Sequence, residues 1–156
     1  MTRNPADVKD PLTAFNFGLE IEGIVGSYFT ECSGLTATME VFEYKEGGQN
    51  AYTHKLPGRT TYGNVTLKWG MTDDMDLWKW YEKIRDWVTN KAGPNVPRKD
   101  VSIIQFDAES KSQQRRWDLI GAYPVKWVGP TYNTGQSQMS VESVELAFRY
   151  LEAKGK

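Results

Sequence analysis

Asn64-Val65-Thr66-Leu67-Lys68-Trp69-Gly70 puts Val65, Leu67 and Trp69 on one side of an extended chain and Asn64, Thr66 and Lys68 on the other, before Gly70 ends it. A period of two marks a half-buried β-strand. Upstream, Phe15, Phe17, Leu19 and Ile21 alternate with Asn16, Gly18, Glu20 and Glu22 in the same manner. Gly23 and Gly26 then flank a turn, and residues 27–31 read as its return strand, ending at Ser33-Gly34 with Cys32 facing the interior. Downstream, residues 101–106 form an apolar strand, 110–114 a turn and 116–122 its return. The last strand sets Val144, Leu146, Phe148 and Tyr150 opposite Ser143, Glu145, Ala147 and Arg149, and Ala153-Lys154-Gly155-Lys156 reads as a frayed end.

Two segments next to the opening strand differ from this pattern. Residues 36–45 alternate, with Ala37, Met39 and Val41 on one face and Thr38, Glu40, Phe42 and Tyr44 on the other, so both faces mix apolar and polar groups. A strand without a clean solvent face meets a partner or a lumen. Residues 46–63 are rich in Gly, Asn, Thr and Pro and read as a long loop, of a length that usually carries function. On the other side, residues 74–90 read as the one helix. Thr72 or Asp73 caps it, Asp74 and Asp76 suit the positive end of its dipole, and Asn90-Lys91-Ala92-Gly93-Pro94 stops it. Leu77, Tyr81, Ile84 and Val88 make its buried stripe, which Trp78, Trp80 and Trp87 widen. With residues 1–11 as a polar arm, the chain reads as one domain over 1–156. The fold class is mainly β (α+β), an antiparallel barrel or sandwich with one flanking helix.

Composition narrows the function. Of 156 residues, 19 are basic and 20 acidic, a net charge of −1 that gives no long-range field for nucleic acid or an anionic membrane. The aromatic share is 13%, with six Trp and eight Tyr, which favours sheets and interfaces. A single Cys32 makes no internal disulfide, and a single His54 supports no multi-histidine metal site. No stretch approaches the roughly 18 apolar residues of a membrane-spanning helix, and the N-terminus lacks an apolar signal core, so synthesis in the cytoplasm is expected.

Catalytic patterns are incomplete. Gly58-Arg59-Thr60-Thr61-Tyr62-Gly63 has the glycine spacing of a phosphate loop, but Asn64-Val65 stands where Lys and Ser or Thr are required. Asp73, Asp74 and Asp76 read as helix-terminal charge rather than metal ligands. Cys32-Ser33-Gly34 lacks a nucleophile elbow, and Arg115-Arg116 beside Trp117 lacks a wider basic stripe. No catalytic, cofactor or metal site is assigned, and the chain reads as a non-enzyme.

Glu31-Cys32-Ser33-Gly34-Leu35, Tyr44-Lys45-Glu46-Gly47-Gly48, Lys55-Leu56-Pro57-Gly58 and Ala122-Tyr123-Pro124-Val125-Lys126, in this order and spacing, resemble the tail tube proteins of contractile-tailed phages and the inner tube proteins of phage-tail-like contractile injection systems. Asp76-Leu77-Trp78, Gly129-Pro130 and Val141-Glu142-Ser143-Val144-Glu145 extend the resemblance across residues 15–151. Leu67-Lys68-Trp69-Gly70 is similar to a family strand that often carries Arg before the Gly, so Trp69 is a departure.

The resemblance implies a structural protomer of a hexameric ring, with rings stacked into a hollow tube that conducts effector proteins or DNA. Implied partners are further copies of the chain, a sheath protein, baseplate or hub and cap proteins, and the cargo. The particle is assembled in the cytoplasm and acts as a phage tail or as a released or membrane-anchored device. The subunit contact is placed at Tyr44, Lys45, Glu46, Gly47, Gly48, Lys55, Leu56, Pro57, Gly58 and Arg59, the glycines allowing close backbone approach and the charged groups forming pairs. Thr38 and Glu40 are placed on the lumen, and the spare helix Trp at a protomer boundary or toward the sheath. The alternatives are a tube-initiator or baseplate-proximal ring of the same particle and, from another class, a carbohydrate-binding β-sandwich using Trp78, Trp117 or Trp127. The lack of an appended domain favours the main tube.

Overall fold

The computed structural model describes residues 17–22, 29–48, 51–70, 75–90, 93–107, 109–135 and 139–155. In chain order they form β1 (Phe17–Ile21), β2 (Phe29–Ser33), β3 (Ala37–Tyr44), β4 (His54–Tyr62), β5 (Val65–Gly70), α1 (Asp76–Asn90), β6 (Lys99–Phe106), β7 (Gln113–Val128), β8 (Val141–Ala147) and β9 (Tyr150–Gly155). The expected arm, the 23–26 turn, Phe15, and the helix-leading Thr72, Asp73 and Asp74 lie outside the described residues.

All pairings are antiparallel. Seven strands follow the order β1-β6-β7-β8-β5-β2 with β9 also on β7, and among the described residues β3 and β4 pair only with each other. The long β7 joins two limbs: its first half lies between β6 and β9, and its second half pairs with β8. The change of partner occurs at Gly121, whose φ of 64° lies in the left-handed region that a side chain disfavours.

Register explains the core. Ile21, Val101, Leu119 and Leu151 stand in one cross-strand row, and Leu19, Ile103, Trp117 and Ala153 in the next. In the other limb Val65 opposes Leu146, and Leu67 opposes Val144 and Cys32. These faces meet Leu77, Trp80 and Ile84 of α1 in one apolar cluster. Trp69, the departure noted above, belongs to this core at 4% exposure, with Phe29 edge-on at 5.8 Å. An arginine could not occupy that site without burying an unpaired charge.

Within the main sheet and helix, four features differ from the sequence reading. Among the described residues β2 pairs with β5 and not with β1, which places Phe29 beside Trp69 and Cys32 beside Leu67 and so extends the apolar face of β5. The helix turns Trp80 inward, so its stripe is Leu77, Trp80 and Ile84, while Val88 is 64% exposed. The short return strand at 116–122 is the first part of the sixteen-residue β7. The terminal strand breaks at Phe148-Arg149 opposite the Gly121 corner, and Ala153, Lys154 and Gly155, expected to fray, belong to β9 against β7.

Cys32 is half-buried against the core. Burial, and secondarily the charge of Glu31, pushes its thiol up to about 11. At pH 8 about one thiol in a thousand is then ionised, and the thiolate is the reactive form. An aromatic disulfide reagent at pH 8 is therefore expected to label native Cys32 about a hundredfold or more slowly than the chain in urea. Equal rates would contradict its packed position.

Candidate assembly surface

The segment read as a long loop at 46–63 is half strand. β4 covers His54–Tyr62 and pairs with β3 through Tyr44 with His54, Glu43 with Lys55, Phe42 with Leu56, and Val41 with Pro57. Pro57 and Gly58 hide the strand in the sequence. Among the described residues β4 pairs only with β3, and such an edge position tolerates proline. The register shifts between Met39 and Val41, where Glu40 faces the Gly58-Arg59 bulge.

This hairpin gathers Tyr44, Lys45, Glu46, Gly47, Gly48, Lys55, Leu56, Pro57, Gly58 and Arg59 into one projection, although they come from two separate sequence stretches. Every residue of β3 is exposed. Val41, Phe42 and Tyr44 show 59%, 58% and 58% of their surface, and Met39 and Leu56 both show 53%. A two-stranded ribbon is marginal by itself, and this one, with no core beneath it among the described residues, displays apolar side chains on both faces. Met39, Val41 and Phe42 are absent from the contact set read from sequence. Their exposure was signalled by the mixed faces of residues 36–45.

Thr38 and Glu40 share a ribbon face with Phe42 and Tyr44 by the alternation of β3. That face is therefore polar at its base and apolar toward its tip. Gly47 and Gly48 have open space around them among the described residues. Gly48 has a φ of 90°, so the turn itself accounts for this glycine. His54 Nε2 lies 3.3 Å from Glu46 Oε2, tying the strand to the turn.

The other notable polar group is a cluster on the outer face of the first limb. Asp118, only 6% exposed, accepts hydrogen bonds from Ser102 Oγ, Arg116 Nε and Lys154 Nζ, each at 2.7 Å. Arg116 also reaches Glu20 at 3.3 Å, so the dibasic pair flagged in the sequence contributes one structural cation. Burial acts to raise the Asp118 carboxyl. The bonds from Lys154, Ser102 and Arg116 and the charge of Arg116 outweigh it, holding the group well below the usual carboxylate range. A depressed pKa stabilises the fold above the unfolded value of about 3.9, and that gain is lost as pH falls through the folded value. Asp118→Asn is expected to lower stability at pH 7 by about 2 kcal/mol, below the roughly 3–5 kcal/mol of a fully buried broken pair because Lys154 and Arg116 can rehydrate. In thermal melts the gap from wild type should hold from pH 7 to about 4 and narrow below that. A gap that widens in acid would contradict this sign.

The tryptophans proposed for outside partners are used within the chain. Trp78 packs edge-on against Trp127 at 4.7 Å and stacks with Tyr81 at 5.6 Å. Trp87 Nε1 donates to Gly93 O at 3.1 Å, and Trp117 packs on the core. None of the three rings named for a glycan site is an open platform. Among the described residues no group of His, Cys, Asp or Glu has the arrangement of a metal site, and no helix is long and apolar enough to cross a membrane.

Comparison with family models matches residues 13–152 to the family described as T4-like virus tail tube protein gp19. Among solved structures, the fold is similar to that of the anti-feeding prophage cap, a tube-terminating cap, with a TM-score of 0.78 and 22% identity over 97% of this chain and 98% of that one. A chain of the PVC sheath-tube complex, an extracellular contractile injection system in its extended state, also gives 0.78, at 20% identity over 99% and 100%. Hcp1 from Flavobacterium johnsoniae gives 0.59 at 19% identity over 91% and 97%. Comparison with curated protein sequences gave no match.

Proposed function

The chain belongs to the T4-like virus tail tube protein family and is a structural tube protein, and on that premise we propose that it forms hexameric rings that stack head to tail into the hollow inner tube of a contractile injection system or phage tail. Its work is mechanical. The rigid tube conducts DNA or effector proteins, with a sheath around it and baseplate and cap proteins at its ends, and the protomer is made in the cytoplasm.

The observation that carries this reading is the β3–β4 hairpin. Its exposed Met39, Val41, Phe42, Tyr44 and Leu56 project from the Ser33 and Val65 ends of β2 and β5, away from the core. Full burial of such side chains is worth roughly 1.5–3 kcal/mol each, and the half still exposed is available to a neighbouring copy. Open sheet edges support the same conclusion. Among the described residues β1, β2 and β9 each pair on one side only, and edges of this kind invite lateral pairing that a closed ring completes. A heterologous contact closes into rings or propagates as a filament, and a tube uses both. Thr38 and Glu40, at the polar base of the hairpin, are assigned to the lumen.

Sedimentation velocity at rising protein concentration tests the proposal. A shift from monomer to ring-sized and larger species supports it. A monomer at every concentration, with and without tube-end proteins as templates, overturns it.

A further inference from the structure

The geometry points to an oxyanion site in the cleft between Arg98 and Arg149, at the corner of β7, that takes a carboxylate or phosphate group. The corner residue Gly121 has both backbone groups held by side chains from one short segment: its carbonyl accepts from Arg98 Nη1 at 3.1 Å and its amide donates to Asp100 Oδ1 at 2.9 Å. Arg149 arrives from the break between β8 and β9. Its backbone amide donates to Ile120 O at 2.9 Å. Its side chain lies against Gly121, where an added Cβ would stand 3.1 Å from Cδ and 3.4 Å from Nε. Two guanidinium side chains are thus brought to one residue.

Their charges are not balanced there. Arg116 and Arg85 both have carboxylate partners. Among the described residues Arg149 has none within ion-pair distance, and Arg98 has the Gly121 carbonyl and the Tyr123 ring, 4.8 Å from its guanidinium carbon. Asp100 supplies one negative charge to the cleft, and one of its oxygens already serves the Gly121 amide. Arginine forks match the geometry of carboxylate and phosphate oxygens. The cleft holds about 400 Å³ and is also lined by Asn95, a further donor. That is room for about a dozen waters, more than a lone oxyanion fills, and it suits an oxyanion carried on a side chain.

Two sources share this chemistry: an acidic side chain of an adjacent copy, which rests on the tube reading, and a free inorganic oxyanion, which does not. Arg149→Gln separates them, because this exposed side chain holds no other charged partner. Full-length wild type and Arg149→Gln are melted with inorganic phosphate against chloride at equal ionic strength, and both are assembled in phosphate-free buffer. A phosphate-dependent rise in melting temperature confined to wild type, with assembly unchanged, identifies a free oxyanion. A rise of about tenfold or more in the protein concentration needed for assembly of Arg149→Gln, with an unchanged melting temperature, identifies the neighbour's carboxylate. Equal phosphate responses together with equal assembly overturn the site. If wild type itself does not assemble, the tube reading fails while the phosphate melts still decide the site.

Discussion

Phe42→Asp should melt within about 2 °C of wild type and form no rings or tubes at concentrations where wild type assembles. The first half follows from position: Phe42 is 58% exposed on a ribbon with no core beneath it among the described residues, and surface substitutions of this kind stay within about 0.5 kcal/mol. The second half follows from repetition. In a tube every protomer presents the same hairpin, so a carboxylate desolvated at that contact is charged against every interface. A loss of about 3 kcal/mol per contact, ordinary for a central aromatic anchor, weakens each by more than a hundredfold. Leu56 is the register partner of Phe42 on β4, so Leu56→Asp should fail in the same way, while Phe42→Tyr keeps the aromatic surface and should assemble. Size-exclusion chromatography with light scattering reads all three. Normal tubes from both aspartate variants would remove the hairpin from the contact.

Trp80→Ala should cost about 3–5 kcal/mol in monomer stability, measured by urea denaturation. Trp80 is 2% exposed and joins α1 to both limbs of the sheet through the core cluster. Its ring nitrogen donates to Pro97 O at 2.9 Å, which also ties the helix to the segment entering β6. Alanine leaves a large cavity and an unpaired carbonyl. Val88→Ala, on the same helix at 64% exposure, should cost less than about 0.5 kcal/mol. The reverse order would restore the stripe through Val88 expected from spacing, and place the helix differently on the sheet.

The contrast between Trp80 and Val88 shows where the sequence ceases to be legible. A helix with three tryptophans, a leucine, an isoleucine and a valine offers several apolar stripes of similar width, and only the shape of the facing sheet chooses among them. Strands were readable where one face is buried and the other wet, as at Val65, Leu67 and Trp69. They were not readable where neither face is buried, as in β4, whose Pro57 and Gly58 resemble loop residues and whose pairing rests on β3 alone. Partner choice was hidden as well. The pairings of β2 with β5 and of β1 with β6 join segments far apart in the chain, which local alternation does not encode. The residues proposed for the subunit contact were read as two phrases without the ribbon that unites them. The Asp118 cluster had a faint sign in Arg116 and Asp118, two apart on one strand face, but Ser102 and Lys154 come from other strands. Nothing local linked Arg98 to Arg149.

Negative-stain electron microscopy of the purified chain at rising concentration, beside Phe42→Asp, tests the central claim most directly. The account predicts hexameric rings with a central hole and hollow tubes for wild type, and isolated protomers for the variant. Tubes from both would contradict assembly through the hairpin, and protomers from both under every condition would contradict the tube itself.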